Sequence, residues 1–399
     1  MVKLGSLVIP VEERAGTRKY TLMSVTSGVG LVPQVEKFGR EIAGNAYKNY
    51  YVIKKGDFAY NKSATKMFPE GYISMLKGYD EAAIPNSIFT CFRIIDKGCD
   101  PRFFDHLFHN NYHGAWLRNY IEVGSRAHGS LNVKLQHLWD MPVALPSFDE
   151  QRKIADCLSS LNELISAEAQ KLTLLQAHKK GLLQKIFPAE GQTLPKVRFK
   201  GNMNSWKQRK LGEIYNICSG QTPFRGDMDN FLNPTTAWIK TTDLNNSLII
   251  ENEEDVSDKA IKKLQLLPVG TVLIAMYGGF NQIGRTGVLT YPATINQAIS
   301  ALPPTDDVDP YFLMTELNHR VEEWKIVAAS SRKDSNITKK DVENFLLKYP
   351  KLSEQIAIST LFRNFDEYIA KQTQKVEALK THKKGLMQGL FPTIEEVTG

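Results

Sequence analysis

Two stretches of the chain place hydrophobic residues at alternating steps of four and three, which is the spacing of a coiled-coil seam. The pattern predicts two long helices, over 146–188 and 350–392, with about five heptads each. The second stretch repeats the first at an offset of 204 residues, so the chain contains a duplicated unit whose two helices should pair with each other. The predicted seam residues are Ile154, Leu158, Leu161, Ile165, Leu172, Leu175, Ile358, Phe362, Phe365, Ile369, Val376 and Leu379.

Polar residues interrupt both seams at matching places, Glu168 with Gln372 and Lys179 with Lys383. Two interpretations are open. Polar seam residues can fix the register and orientation of a coiled coil at some cost in stability. Alternatively, the long lysine stems reach out to solvent and the Glu and Gln side chains lie in a hydrated gap.

The remaining sequence predicts two globular domains of mixed α and β structure. The first covers 1–145 and the second covers 210–349, where the order of the first domain returns. A linker at 189–209, anchored by Trp206, separates the first long helix from the second domain, and 393–399 is a tail. The predicted strands of the first domain lie at 20–26, 50–53, 58–60 and 86–95.

A helix of about twenty residues should follow the first domain's strands, because Asp100-Pro101 is a helix-start signal. The same signal recurs at Asp309-Pro310 in the second domain. The two domains therefore share a scaffold, and their loops differ.

Composition permits several classes of partner and disfavours some locations. The net charge of +7 and pI near 9.0 allow a polyanionic partner without requiring one. The sequence shows no apolar run near the ~18 residues of a membrane span, and no apolar signal-peptide core follows Met1. The four cysteines form no secreted framework, so we expect a reducing cytoplasm.

Several motifs together resemble the specificity subunit of type I DNA restriction–modification systems. Each long helix begins with Pro-x-x-x-Glu-Gln-x-x-Ile and ends with Lys-Lys-Gly-Leu-x-Gln-x-x-Phe-Pro. The second domain adds Ser219-Gly-Gln-Thr-Pro223, Trp238-Ile239 and Asp243-Leu244. One departure is that Met1 is not preceded by the Phe-x-Gly…Trp lead-in found at Phe199 to Trp206.

This resemblance implies a mixed α+β fold with an internal pseudo-two-fold repeat. Two target-recognition domains would be separated by two helices that form an antiparallel coiled coil. Each domain would read one half of a bipartite, interrupted site in double-stranded DNA. The coiled coil would set the spacing and dock two methyltransferase (modification) subunits, and motor-nuclease (restriction) subunits would join them.

The resemblance also implies a non-catalytic chain without a cofactor, with S-adenosylmethionine, ATP and Mg²⁺ on the partner subunits. Consistent with this, the sequence has neither the Asn/Asp-Pro-Pro-Tyr/Phe signature of adenine methyltransferases nor a phosphate-binding loop for ATP. His106, His109 and His113 could share one helix face as zinc ligands, but an amphipathic surface helix explains them better. We therefore expect no metal site.

Side chains with fixed hydrogen-bonding groups on short loops are the natural readers of base edges. The candidate DNA-binding residues are Tyr60, Asn61, Lys62, Lys66, Arg126 and His128 in the first domain, and Tyr277, Asn281, Gln282, Arg285, Arg332 and Lys333 in the second. Each one alone is more often a solvated loop residue, and the clusters at matching positions carry the prediction. The alternative function is a non-enzymatic scaffold that spaces two protein-binding domains.

Overall fold

The computed structural model describes residues 1–121, 131–200, 204–279, 281–330 and 336–398. The chain divides into two compact units by its internal contacts. Unit 1 comprises Met1–Ala169 and Gln374–Gly399, and unit 2 comprises Gln170–Thr373. None of the helices in the described ranges has both the length and the apolar character needed to cross a membrane.

Unit 1 is built on an antiparallel sheet whose strands lie in the order Val8–Pro10, Phe89–Ile94, Phe58–Asn61, Tyr72–Met75. The other strands pair as Val2–Lys3 with Pro142–Val143, Met23–Thr26 with Gly30–Pro33, and Tyr51–Lys54 with Glu81–Ile84. The α-helices that belong wholly to this unit are Gln34–Phe38, Pro101–His109, Tyr112–Leu117, Leu135–Trp139 and Ile394–Thr398, and 3-10 turns occur at Leu4–Ser6 and Asn45–Asn49. The rings of Phe108 and Phe58 pack edge to face with their centroids 5.4 Å apart, which fixes the helix against the sheet.

Unit 2 contains a sheet with the order Cys218–Ser219, Ile299–Leu302, Val272–Ala275, Thr286–Leu289, Ser247–Ile249. A second sheet has the order Asp255–Val256, Thr236–Ile239, Thr294–Ile295, and the strands Lys207–Lys210 and Leu346–Tyr349 pair with each other. The helices are Leu211–Ile214, Asp258–Ile261, Pro310–His319, Val321–Ser330 and Lys339–Asn344, with 3-10 turns at Met228–Asn230 and Thr241–Asp243.

The two units repeat one topology, which confirms the predicted duplication. In both, four strands lie in the same order and a helix that begins with Pro packs behind them. In each unit the first strand also pairs with the strand just before a long helix. The fold is therefore a mixed α+β fold with an internal repeat.

The two long helices are Phe148–Ile186 and Leu352–Leu390, and each contributes one part to each unit. Within unit 1, Leu158 near the start of the first helix shares a core with Met387 near the end of the second. Within unit 2, Ile186 shares a core with Ile358. Early residues of one helix thus pack with late residues of the other, so the predicted antiparallel coiled coil is confirmed.

The predicted seam positions are all buried or partly buried in this structure. Two of the four polar interruptions form ion pairs between the helices. Lys179 pairs with Asp366 in unit 2, and Glu168 pairs with Lys375 in unit 1. Charged pairs of this kind favour one register over its neighbours, which supports the first of the two interpretations.

Three local predictions need correction. The helix that starts after Asp100 does not continue for twenty residues, because Asn111 adopts a left-handed φ of 57° and separates Pro101–His109 from Tyr112–Leu117. The predicted linker ends earlier, since a strand begins at Lys207 and Trp206 is buried in the core of unit 2. The predicted tail contains a helix, and its Ile394 and Val397 are buried.

Candidate nucleic-acid interface

Most of the candidate DNA-binding residues that the structure describes lie on one hairpin in each unit. Hairpin 1 joins Phe58–Asn61 to Tyr72–Met75, and hairpin 2 joins Val272–Ala275 to Thr286–Leu289. The two hairpins occupy the same place in the strand order of their own sheets. Their loops therefore leave the same edge of equivalent sheets.

Hairpin 2 brings four of the predicted residues together within nine positions, 277–285. Tyr277 and Asn281 are exposed, while Gln282 and Arg285 are partly buried. The Nε atom of Arg285 donates a hydrogen bond to the Asn281 carbonyl oxygen at 3.2 Å. The guanidinium group is thereby tethered to its own loop while keeping terminal nitrogens of the type that contact guanine.

Glycines hold this loop in a conformation that other residues rarely adopt. Gly278 and Gly279 have φ values of 118° and 92°, and Gly284 has φ of 76°. A Cβ atom on Gly284 would lie 2.8 Å from the Trp324 ring, so this glycine also allows the loop to rest on a buried tryptophan. The loop is thus attached to the core at its base, and residue 280 lies outside the described residues.

Hairpin 1 corrects two of the predictions. Tyr60 is 1% exposed and donates its hydroxyl hydrogen to the Glu70 carbonyl oxygen at 2.7 Å. Burial, followed by the nearby Glu70 carboxylate, raises the pKa of the Tyr60 hydroxyl. Asn61 is also buried, and its Oδ1 accepts a hydrogen bond from the Ser63 amide at 3.0 Å. Both side chains build the loop from within, so neither is available for a direct base contact in this conformation.

Lys62 and Lys66 remain as the accessible cations of hairpin 1, partly exposed and exposed respectively. Lysine is a point charge without a fixed fork, which suits phosphate contacts better than base reading. Four predicted residues, Arg126, His128, Arg332 and Lys333, lie outside the described residues.

The three histidines contact other groups of unit 1. His106 and His113 are buried, contrary to the predicted amphipathic surface helix, and burial lowers the pKa of each to about 4. His106 lies 3.1 Å from Ser159 Oγ, and His109 Nδ1 lies 2.7 Å from the Asp105 carbonyl oxygen. No group of His, Cys, Asp and Glu suited to a metal ion occurs among the residues that the structure describes.

Sequence analysis missed the residues that attach each domain to its long helix. Gln151 is fully buried, and its Oε1 accepts a hydrogen bond from the Asp100 amide at 3.0 Å. Its Nε2 donates to the carbonyl oxygens of Gly98 and Pro146, both at 2.9 Å. The side chain therefore joins the start of the long helix to the start of the helix packed on the sheet.

Gln355 repeats this arrangement in unit 2. Its Oε1 accepts from the Asp309 amide, and its Nε2 donates to the carbonyl oxygens of Asp307 and Pro350, each at 2.9 Å. The signal was present as the repeated Glu-Gln pair at both helix starts. Its role could not be derived from sequence because the Asp100 and Asp309 amides lie about fifty residues away in the chain.

Comparison with known proteins defines the class of this protein. A sequence model of the type I restriction modification DNA specificity domain matches residues 35–177 and 203–381, and the chain belongs to this family. The chain is 22% identical over 275 residues to the putative type I restriction enzyme MjaX specificity subunit of Methanocaldococcus jannaschii, and this alignment covers 67% of the chain and 63% of the relative. It is 23% identical over 176 residues to the type I restriction enzyme EcoR124I/EcoR124II specificity subunit of Escherichia coli, with 43% of each chain covered. The chain thus spans less than two thirds of the length of these relatives.

Solved structures support the fold. One similar structure is the type I restriction-modification system S subunit from M. genitalium, with a TM-score of 0.61, 14% identity, and coverage of 98% of this chain and 95% of that chain. Another belongs to work on complex assembly and conformational transition of the type I R-M system, with a TM-score of 0.57, 19% identity, and coverage of 98% and 96%. At these identities the likeness shows the fold alone.

Proposed function

We propose that this chain is the DNA sequence-specificity subunit of a type I restriction–modification complex. The observation that supports this best is the duplication of a loop-bearing hairpin on two equivalent sheets, each in a unit that also contains the start of one long helix. Each unit would read one half of an interrupted DNA site. The coiled coil would set the unread gap and dock two methyltransferase subunits.

The chain itself is proposed to be non-catalytic and to bind no cofactor. S-adenosylmethionine would act on the methyltransferase subunits, and ATP with Mg²⁺ would act on motor-nuclease subunits. The complex would work in the cytoplasm. Hairpin 2 carries the side chains best suited to direct readout, whereas hairpin 1 offers lysines, so the first half-site would depend more on phosphate contacts and on residues outside hairpin 1.

Mapping methylated adenines tests the proposal. The chain would be expressed with the methyltransferase subunit of its own system in cells that lack other adenine methylation. Methylation confined to one sequence of two parts separated by a fixed gap is expected. Absence of sequence-specific methylation, together with DNA binding that does not depend on sequence, would favour the scaffold function instead.

Arg285→Ala should weaken binding to the cognate site by about 1–3 kcal/mol, because one arginine fork on guanine contributes roughly that discrimination. Specificity should relax at one position of one half-site only. The measurement is DNA binding across single-base variants of the site, at two salt concentrations. Arg152→Ala, on the exposed face of the first long helix, is the control. A uniform loss across all variants, with a shallower salt dependence, would make Arg285 a phosphate contact.

Insertion of one heptad after Glu168 and one after Gln372 should lengthen each long helix by ~10 Å. The unread gap should then grow by about three base pairs at ~3.4 Å each, with both half-sequences unchanged. The same methylation map provides the readout. A new half-sequence with an unchanged gap would contradict the spacing function of the helices, while the proposed DNA recognition would stand.

A further inference from the structure

Unit 1 contains a cavity of about 500 Å³ between its sheet, the helix Pro101–His109 and the first long helix. A volume of roughly 300–1,000 Å³ is typical of sites for small molecules. Its lining combines apolar side chains with hydrogen-bonding groups and includes Met75, Leu76, Pro101, Lys77, His106 and Asn162. The cavity therefore suits a ligand that has both an apolar part and a polar part.

The cavity lies away from the loop of hairpin 1. It is bordered by Gly56 and Lys77, which lie just before the strand Phe58–Asn61 and just after the strand Tyr72–Met75. The loop of hairpin 1 joins the other ends of the same two strands. A strand of four residues is about 13 Å long at roughly 3.3 Å per residue. The cavity is therefore separate from the candidate DNA-binding loop.

Unit 2 fills the equivalent place with its own side chains. The Tyr311 hydroxyl donates a hydrogen bond to the Asp366 carboxylate at 2.6 Å, and the Arg363 guanidinium lies 4.6 Å from the centre of the Tyr311 ring. Lys179 of the first long helix forms an ion pair with the same carboxylate. In unit 2 this place thus holds an aromatic ring and a carboxylate, and the carboxylate neutralises a lysine of the coiled coil.

Unit 1 has neither the ring nor the carboxylate. The residues that replace Tyr311, Arg363 and Asp366 are Arg102, Ser159 and Asn162, by the repeat of the long helices and of the helices that begin with Pro. The Arg102 guanidinium donates hydrogen bonds to Asp100 at 2.7 Å and to Asp156 at 2.6 Å. It is thereby held by its own acidic partners, and the space of the tyrosine ring is part of the cavity.

Lys383 keeps the lysine of this arrangement without a carboxylate partner. It corresponds to Lys179, and the antiparallel register places it opposite Asn162, one helical turn from the core that the two long helices share in unit 1. Within the part of the chain that the structure describes, Lys383 forms no ion pair. Burial, followed by the charge of Lys77, lowers the pKa of Lys383, and the charge of Asp105 does not offset them.

The acidic residues that line the cavity do not oppose a bound anion. Asp100 is paired with Arg102 at 2.7 Å, and Asp105 is paired with Lys77 at 2.5 Å. The remaining one, Glu163, is exposed to solvent. The buried acids beside the cavity are therefore already neutralised by neighbours.

We propose that this cavity of unit 1 binds a small aromatic carboxylate, a planar ring that carries one carboxyl group. The ring would take the place that the Tyr311 ring has in unit 2 and would pack against Met75, Leu76 and Pro101. An anion without a ring would leave these apolar side chains in contact with water.

The carboxylate of the ligand would meet Lys383 and Asn162. The Lys383 ammonium lies near the lining residue His106, close enough for an electrostatic interaction between them. Its pairing with the ligand would repeat the pairing of Lys179 with Asp366 in unit 2. The Asn162 amide would donate a hydrogen bond to the second carboxylate oxygen. The ligand would thus supply unit 1 with the two groups that unit 2 has in its own sequence.

The first test is fluorine NMR of the full chain with three aromatic acids, 4-fluorobenzoate, 4-fluorophenylacetate and 3-(4-fluorophenyl)propionate. Line broadening of at least one acid is expected. Its neutral amide should bind about tenfold more weakly, because a charge-assisted hydrogen bond is lost. Trifluoroacetate, which has a carboxylate and no ring, should not broaden. Absence of broadening for all three acids, or equal binding of the acid and either comparison compound, would overturn the proposal.

Two substitutions locate the bound acid. Asn162→Asp restores the carboxylate that unit 2 has at this position, so it should pair with Lys383, keep or raise the melting temperature, and abolish binding by repulsion. Lys383→Met keeps an apolar stem and removes the charge, so the acid should lose its preference over the amide. Lys384→Met, at an exposed position of the same helix, is the control. Binding that Asn162→Asp and Lys383→Met both leave unchanged would place the acid elsewhere and refute the site.

Amide hydrogen exchange shows the position of the ligand directly. The bound acid should slow exchange in Pro101–His109 and leave hairpin 2 unchanged, because it stabilises only the unit that binds it. Slower exchange in unit 2 alone would overturn the assignment to unit 1. None of these measurements uses DNA, so their failure would leave the proposed function as it stands.

Discussion

Gln355→Leu should lower the free energy of unfolding of unit 2 by about 3–5 kcal/mol, a large fraction of the stability of a typical domain. The buried amide accepts one hydrogen bond and donates two, all to backbone groups. Leucine has a similar volume but leaves those groups without partners, and each unpaired buried group costs roughly 1–3 kcal/mol. The measurement is amide hydrogen exchange of unit 2 peptides as a function of denaturant.

The matched control is Gln388→Leu on the same helix, because Gln388 is exposed and should change stability by less than about 0.5 kcal/mol. The repeat supplies a second comparison. Gln151→Leu should produce the same loss in unit 1 and leave unit 2 unchanged. Similar small effects from all three substitutions would show that the two buried glutamines are not what attaches each domain to its helix.

These glutamines show where sequence analysis reaches its limit. The long helices were predictable because a heptad period is local information, repeated over many residues and present twice. The contacts of Gln151 and Gln355 join segments about fifty residues apart, and no local period records such contacts. The sequence therefore indicated that the Glu-Gln pair recurs without indicating its purpose.

The DNA-binding candidates show the same limit on a smaller scale. Tyr60 lies within the strand Phe58–Asn61, whereas Tyr277 lies in the loop after the strand Val272–Ala275, and both were predicted to contact DNA. In the structure Tyr60 is buried under Glu70, whereas Tyr277 is exposed. Strand periodicity predicts that alternate residues face solvent, but all four residues of Phe58–Asn61 are buried, and burial of both faces of a strand depends on tertiary packing.

The helix break at Asn111 has a comparable origin. Asparagine adopts the left-handed conformation more readily than most residues, so the break was chemically possible. The helical periodicity continued through it, with Phe104, Phe108 and Leu117 all buried in unit 1. A sequence pattern that reports burial cannot distinguish one long helix from two short helices that bury the same side of the unit.

Unit 1 should lose stability steeply as the pH falls from 6.5 to about 4, because of His106 and His113. Burial lowers the pKa of both imidazoles to about 4 from the ordinary 6.5. In this window the unfolded chain binds a proton on each histidine and the folded unit does not, so the free energy of unfolding decreases as the pH decreases. The shift of each pKa corresponds to about 3 kcal/mol in the free energy of unfolding. This stability is fully present above pH 6.5 and is lost at about pH 4.

Nearby groups determine how cleanly this loss can be measured. His106 lies near the ionisable groups of Asp105, Lys77, His109 and Lys383. Burial raises the pKa of Asp105, but the hydrogen bond from His109 and the charge of Lys77 outweigh burial and bring it to about 2. Stability that depends on Asp105 is therefore lost below its ordinary pKa of 3.8, beneath the window of the two histidines.

Replacing both histidines by glutamine separates their titration from their packing. Glutamine at 113 keeps a donor for the Gly71 carbonyl oxygen, which lies 3.4 Å from His113 Nε2, and cannot gain a charge. The double variant should be less stable than the parent at pH 7.5, because the imidazoles fill their sites better, yet its stability should change little between pH 6.5 and 4. Amide exchange of unit 1 peptides at several pH values, corrected for the intrinsic exchange rate, gives the stability at pH 7.5 and its change between pH 6.5 and 4. His382→Gln, at an exposed position of the second long helix, is the control. A double variant that retains the parent's full pH dependence would mean that other groups of unit 1 carry the acid sensitivity.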